Sequence, residues 1–148
     1  MSLQQRLTDS MKEAMKARDS LRLNTIRGIR TAIKNREIET GSSLDDDAVI
    51  GVISSLAKQR RESAQAYREG DRPELADKEE AELAVLQEFL PAQLSDDELR
   101  QMIAEVAAEV GAESPKDMGR VMKELTPKTR GRADGKRVSE LVRAHLAG

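Results

Sequence analysis

The 148-residue sequence contains no cysteine, a single histidine and only two aromatic residues, Tyr67 and Phe89. The absence of cysteine excludes disulfides, thiolate catalysis and cysteine-ligated zinc sites, and it agrees with a reducing compartment. Aromatic residues and runs of β-branched residues are too scarce for a β-sandwich. No stretch approaches the roughly 20 apolar residues of a membrane span, so no membrane partner is predicted.

The sequence also shows no pattern typical of a targeting segment. Its N-terminal stretch carries Asp9 and Glu13 among basic residues, unlike an acid-poor transit peptide. It has no apolar core of the kind that a signal peptide needs. From these features we expect a cytoplasmic protein.

Charged residues and helix formers are abundant in this sequence. Asp, Glu, Lys and Arg make up 35% of the residues, which together with frequent Ala and Leu predicts an all-α fold. The 25 basic and 27 acidic side chains give a net charge of −2. The molecule as a whole is therefore not a polybasic nucleic-acid binder, and any such surface must be local.

Apolar stripes with a spacing of three to four residues predict four helices within residues 1–91. Ser2 and Asp19 are placed to cap the first two helices, and Pro91 ends the fourth. Gly28 lies inside the second helix, where glycine costs about 1 kcal/mol relative to alanine, and it indicates close packing there. We predict an up-and-down four-helix N-terminal domain.

A short hinge precedes a second domain, which is predicted over residues 95–148. Ser95 and Glu98 have the spacing of a capping box, and the helix that they start is predicted over Asp96–Val110. Two features of the remaining sequence complete this domain.

The first feature is a helix that begins at Ser114 and is expected to end at Pro127. The second is a polar loop predicted over residues 126–133, after which Asp134 caps a last helix. The predicted fold class is therefore all-α, with an N-terminal four-helix domain followed by a small three-helix C-terminal domain.

Several polar residues are assigned structural roles. His145 lies in the last helical turn, where a cationic side chain suits the helix dipole. The acidic run at residues 45–47 caps the third helix, since apolar residues follow where a calcium loop needs oxygen ligands. Glu79, Glu80 and Glu82 are interpreted as solvated carboxylates on the fourth helix.

No catalytic residues, metal ligands or cofactors are predicted. Gly131, Gly135 and Lys136 superficially match a phosphate-binding loop, but their spacing is one residue short. Arg137 also occupies the position of the Ser or Thr that would bind magnesium, and no strand precedes the glycines. Nucleotide binding by this motif is disfavoured.

Two local clusters of basic residues are present. The first comprises Lys12, Lys16, Arg18, Arg22, Arg27, Arg30, Lys34 and Arg36. The same stretch contains only two acidic residues, Glu13 and Asp19. The second comprises Lys116, Arg120, Lys123, Lys128, Arg130, Arg132, Lys136 and Arg137. Solvated helix faces produce such runs routinely, but a local excess of cations is also the pattern of a phosphate-binding surface.

The second cluster is the better candidate for nucleic-acid binding. Gly131 and Gly135 let the backbone approach a phosphate closely, next to the free amides of a helix N-terminus. We therefore add both glycines to the eight cations as predicted nucleic-acid-binding residues. A DNA-reading helix-turn-helix is disfavoured because the predicted loop exceeds that motif's turn of three or four residues.

Four segments of the sequence resemble the GatB/YqeY family. They are Arg22–Glu39 (RLNTIRGIRTAIKNREIE), Lys58–Arg68 (KQRRESAQAYR), Glu88–Leu94 (EFLPAQL) and Lys116–Lys136 (KDMGRVMKELTPKTRGRADGK). The resemblance covers nearly the whole chain and keeps the order of the segments. It implies a helical N-terminal domain and a small helical C-terminal domain.

The C-terminal part resembles the tail of the B subunit of the glutamine-dependent aspartyl/glutamyl-tRNA amidotransferase. This resemblance implies engagement of tRNA, and it links the chain to carbon–nitrogen ligase activity with glutamine as amido-N-donor. The matching segments include neither the kinase-like catalytic part of that subunit nor the Gly/Ser-rich amidase segment of its partner. We therefore expect the chain alone to be non-catalytic.

The leading hypothesis is a non-catalytic tRNA-binding or amidotransferase-associated accessory protein. Its expected partners are tRNA and amidotransferase or tRNA-synthetase components. Two alternatives stay open: an adaptor that binds another protein and no RNA, and a subunit that contributes to the ligase activity only in complex. The sequence predicts no particular oligomeric state.

Overall fold

The computed structural model describes residues 1–148 and contains seven α-helices and no strand, so the all-α prediction is confirmed. The helices are α1 Leu3–Ala17, α2 Ser20–Thr40, α3 Asp46–Glu69, α4 Pro73–Glu88, α5 Asp96–Val110, α6 Met118–Thr129 and α7 Gly135–Ala147. The chain divides into two compact units, Met1–Pro91 and Ala92–Gly148. None of the helices has the length and apolar character needed to cross a membrane.

The helix starts in the first unit are built by local side-chain caps. The Ser2 hydroxyl accepts a hydrogen bond from the Gln5 N–H, and the Gln5 side chain accepts one from the Ser2 N–H, both at 3.1 Å. Asp19 and Asp45 cap α2 and α3 through their carboxylates, which accept hydrogen bonds from the Arg22 N–H and the Ala48 N–H. Gly41 ends α2 with φ +72°, a left-handed conformation that favours glycine. These caps satisfy amides that a helix end leaves unpaired.

Four helices surround one apolar core in the first unit. The largest side chains fully buried there are Leu7, Ile26, Ile29, Val49 and Ile53. Each contributes about 1.5–3 kcal/mol by its removal from water. Helix α1 packs on α2, and α3 packs on α4, with α2 in contact with both α3 and α4.

Ion pairs hold α4 to α3. They correct the prediction that the glutamates of α4 are solvated. Arg60 of α3 lies 3.0 Å from Oε2 of both Glu79 and Glu82, whose side chains are only 15% and 22% exposed. These two carboxylates are therefore partly buried and paired rather than solvated. Glu80 is exposed, and it pairs with Arg68 of α3.

The prediction of close packing at Gly28 is wrong. No atom lies within 4 Å of the position that a Cβ would occupy there. Gly28 borders a cavity of about 250 Å³ that is also lined by Asn24, Leu56 and Arg60. The space beside a helical glycine is filled or left open by the packing of other helices, which a sequence pattern does not reveal.

Three helices form the second unit around a separate core. Its fully buried side chains are Leu99, Ile103, Val106, Val121, Leu125, Val138 and Val142. The capping box at the start of α5 is present, with Ser95 and Glu98 exchanging hydrogen bonds of 3.0 and 3.1 Å. Gly111 ends α5 with φ +68°.

The predicted end of α6 is wrong. The helix continues through Pro127 to Thr129, so the connection to α7 spans only residues 130–134 instead of the predicted loop at 126–133. Proline removes one backbone donor and crowds the carbonyl four residues before it, so a helix that continues past proline needs a compensating contact. Thr129 is 6% exposed, and its hydroxyl donates to the Leu125 carbonyl at 3.3 Å. Burial of this side chain extends the helix past the proline.

Candidate nucleic-acid interface

The connection between α6 and α7 is fixed to the start of the second unit. The Leu94 N–H donates to the Arg132 carbonyl at 2.7 Å, and the Gln93 side chain donates to the Gly131 carbonyl at 2.8 Å. The Arg132 guanidinium donates in turn to the Ala92 carbonyl at 3.4 Å. The connection at residues 130–134 is therefore an anchored turn rather than a flexible connector.

The two glycines of this turn have different environments. Gly131 is buried and adopts φ +74°, so it shapes the turn and is shielded from a ligand. Gly135 is exposed and begins α7. The first amides of α7 have no partner within the helix, so only this glycine combines exposure with free N–H groups.

Arg137 is engaged in ion pairs on the second unit. Its guanidinium lies 2.7 Å from Asp96 at the start of α5 and 3.1 Å from Glu140 one turn along α7. The hydrogen bond that Arg137 donates to Asp96, followed by the one it donates to Glu140, raises the pKa of Arg137. The same bond to Arg137 lowers the pKa of Asp96. The charge of Arg137 is therefore already neutralised by two carboxylates.

Arg120 is also tied to its neighbours. It donates to the Val110 carbonyl and to the Asp117 carboxylate, both at 2.7 Å. The Glu113 N–H and then the Arg120 guanidinium lower the pKa of Asp117 to about 2. These bonds join the end of α5 to the start of α6, so Arg120 stabilises the packing of the second unit.

Five of the eight predicted cations remain exposed and form no ion pair: Lys116, Lys123, Lys128, Arg130 and Lys136. Lys128 lies in the last turn of α6, Arg130 directly follows that helix, and Lys136 lies in the first turn of α7. These five side chains, with Gly135, form the candidate interface. An acidic residue three positions away pairs with Arg120 and with Arg137, but Glu113 has the same spacing to the unpaired Lys116, so sequence spacing alone does not separate the two sets.

The described side chains outside this interface offer no metal centre. No group of three or more His, Asp or Glu side chains is arranged to hold a metal ion. His145 is exposed in the last turn of α7, in agreement with its structural assignment. Gly131 lies between α6 and α7, and Lys136 lies in the first turn of α7. No strand precedes them, unlike the glycines and lysine of a phosphate-binding loop.

The chain matches the family model of the YqeY-like proteins over residues 4–146. It is similar to proteins named altered inheritance of mitochondria protein 41, mitochondrial. The relative from Lachancea thermotolerans is 38% identical over 85 residues, which is 57% of this chain and 46% of the relative. The relative from Meyerozyma guilliermondii is 33% identical over 112 residues, which is 71% of this chain and 58% of the relative. The chain spans about half the length of the curated relatives that it matches.

These relatives bear on two of the sequence-based predictions. The expectation of a cytoplasmic protein is wrong, because the similar proteins are named as mitochondrial. That expectation rested on the lack of a transit-peptide or signal-peptide pattern, and the lack of such a pattern does not fix the compartment of a protein. The family resemblance, in contrast, is confirmed across nearly the whole chain. The chain belongs to the YqeY-like protein family.

Proposed function

We propose that this YqeY-like chain is a non-catalytic accessory protein that binds tRNA through the exposed cations of its second unit. The observation that carries the proposal is the set of unpaired cations Lys128, Arg130 and Lys136, which flank an anchored turn and the free amides of α7. Arg and Lys side chains in such a position bind phosphates and release counterions. The resemblance of the C-terminal part, residues 95–148, to an amidotransferase tail supports tRNA as the nucleic acid.

The contact that we propose is directed to the RNA backbone and not to its bases. Both aromatic residues lie in the first unit, where Phe89 is 3% exposed and Tyr67 is half-buried. The second unit therefore offers no Phe, Tyr or Trp ring on which an unpaired base can stack, and its one imidazole, that of His145, lies at the opposite end of α7 from Lys136. A double-stranded segment of the RNA, recognised by its shape and its phosphates, is the target that fits this surface.

A variant with Lys128→Gln, Arg130→Gln and Lys136→Gln tests the proposal. Arg132 is left intact because its guanidinium donates to the Ala92 carbonyl and supports the turn. We expect weaker binding of bulk tRNA in gel-shift titrations. The slope of log affinity against log salt should become shallower by about 0.7–0.9 for each phosphate that the variant no longer neutralises.

The matched control replaces three exposed cations of the first unit, Lys58, Arg72 and Lys78, with glutamine. This control changes the net charge by the same amount and should leave tRNA binding nearly unchanged. Equal losses of affinity in both variants would show non-specific attraction. Unchanged affinity in a folded triple variant of the second unit would favour the adaptor function, in which the chain binds a protein and no RNA.

A further inference from the structure

A groove runs between α1 and α2 on the first unit, and the proposed tRNA site does not use it. The groove has a volume of about 760 Å³. Its apolar lining, here called the floor, consists of Leu7, Met11 and Met15 from α1 and Ile33 from α2, and its uncharged polar lining consists of Gln4 and Thr31. Methionine side chains are flexible and polarisable, so such a floor adapts to the shape of an apolar partner.

Cations line the α2 side of this groove. Arg27, Arg30 and Lys34 are exposed and form no ion pair, in contrast to Arg22 of the same helix, which pairs with Glu88. The polar contact of the Arg30 guanidinium is the Met11 sulfur at 3.0 Å, a weak acceptor. The rim therefore holds three positive charges without carboxylate partners.

One carboxylate, that of Glu37, also lines the groove, and the fold already uses it. Its Oε2 accepts a hydrogen bond from the Leu44 N–H at 3.0 Å, which fixes the chain after α2. Three cations thus face one engaged carboxylate, and the groove carries an excess of positive charge.

Two large apolar side chains on these helices are also exposed. Met15, which lines the groove, is 51% exposed. Ile38 is 70% exposed, and it follows Lys34 by four residues, so it continues the α2 side of the groove by one helical turn. Met15 therefore adds exposed apolar surface to the unpaired cations that line the groove.

We infer that the α1–α2 groove binds an acidic amphipathic helix of a partner protein. The apolar side of that helix would lie on Met11 and Met15, and its carboxylates would meet Arg27, Arg30 and Lys34. A helix laid between two helices presents side chains at positions i, i+3, i+4 and i+7, so it can offer apolar residues to the floor and carboxylates to the cations. Complementary charge then sets its orientation and speeds association.

A nucleic acid fits this groove less well than an acidic helix does. Phosphates gain nothing from an apolar floor, and the groove contains no aromatic side chain for base stacking. The inference is independent of the tRNA proposal, since the two surfaces share no residue.

Selection from a displayed library of random peptides against the intact chain tests the inference. Peptides of about 15 residues match the length of α1 as helices, since each residue adds about 1.5 Å. We expect the enriched peptides to combine apolar residues at helical spacing with an excess of Glu and Asp. Enrichment without an acidic excess would overturn the inference.

The enriched peptides are then synthesised with a fluorescent label and titrated against variants of the chain. A variant with Arg27→Glu, Arg30→Glu and Lys34→Glu should bind at least about tenfold more weakly, and Met15→Glu alone should also weaken binding. The control with Lys58→Glu, Arg72→Glu and Lys78→Glu carries the same charge change elsewhere and should bind as the natural chain does. Circular dichroism verifies that each variant is folded.

Two further results would contradict the inference. Peptide affinity that is equal in the groove variant and the control would place the binding site elsewhere. A loss of tRNA affinity in the groove variant, with peptide binding unchanged, would assign the cations to RNA. Failure of the tRNA proposal would leave these peptide measurements unaffected, because its variants lie in the second unit.

Discussion

The Arg137 guanidinium on α7 forms a two-point contact with the Asp96 carboxylate at the start of α5. Nη2 lies 2.7 Å from Oδ2, and Nε lies 3.2 Å from Oδ1. The carboxylate also sits in the first turn of α5, where the helix dipole stabilises negative charge. This pair links two helices of the second unit through residues that are 41 positions apart in sequence.

The paired state of Arg137 predicts different effects for two neighbouring cations. Lys136→Gln should weaken tRNA binding, since that side chain is exposed and unpaired. Arg137→Gln should change affinity by less than about twofold, because its charge is already matched by Asp96 and Glu140. Gel-shift titrations of the two single variants measure this difference. Equal effects would show that tRNA displaces the carboxylates from Arg137.

Acid should destabilise the second unit through Asp117. Its pKa is about 2 in the folded chain against an ordinary value of 3.8, because the Glu113 N–H and Arg120 stabilise the charged form. A lowered pKa means that this stabilisation is complete above pH 3.8 and is lost as the pH falls toward 2. The pKa values of Asp96 and Glu98 are lowered too, and they act in the same direction.

Melting temperatures measured between pH 7 and pH 2 test this prediction. Asp117→Asn should melt lower than the natural chain at pH 7, and the gap should narrow toward pH 2, where about half of the Asp117 side chains in the folded natural chain are protonated. A gap that stays constant over the whole range would exclude Asp117 as a source of the acid sensitivity.

The partly buried ion pairs of the first unit predict a contrast between two arginines of α3. Arg60→Gln leaves Glu79 and Glu82 partly buried without a cation, which should lower the free energy of unfolding by about 1–3 kcal/mol. Arg68→Gln breaks exposed pairs with Asp77 and Glu80, so its effect should be much smaller. Urea unfolding curves of both variants measure the difference. Similar midpoints would contradict the role of burial.

Two glycines should respond to alanine in opposite directions. Gly28→Ala adds a methyl group to open space within a helix, so we expect it to stabilise the first unit by about 0.5–1 kcal/mol. Gly111→Ala forces alanine into a left-handed conformation with φ +68°, which should cost about 1–2 kcal/mol. Thermal melts of the two variants provide the measurement. A destabilised Gly28→Ala chain would mean that the cavity beside α2 is needed for stability.

We expect each of the two units to fold alone. Fragments covering residues 1–91 and 92–148 should both give helical circular dichroism and cooperative melts, since each contains its own apolar core. A shorter fragment, 95–148, should melt at a lower temperature because it lacks the hydrogen bonds that Gln93 and Leu94 make to the turn after α6. Loss of helicity in both longer fragments would show that the units depend on each other.

Local chemistry made the helices predictable from the sequence. Ser2, Asp19 and Asp45 cap the first three helices as expected, because a cap needs only an acceptor and an amide two or three residues away. The apolar stripes are buried for a similarly local reason, since residues three and four apart share one face. The end of α6 was not predictable in this way, because the burial of Thr129, a tertiary contact, extends the helix past Pro127.

The sequence by itself therefore determined the all-α class, the capped starts of α1, α2, α3 and α5, and the family. Each of these depends on residues close together in the chain or on the order of matching segments. Tertiary structure alone decided which cations remain available. Arg137 is neutralised by Asp96 from another helix, whereas Arg27 and Lys34 remain unpaired beside a groove formed by two helices. Charge pairing depends on distances in space, and the hydrophobic contacts between helices set those distances.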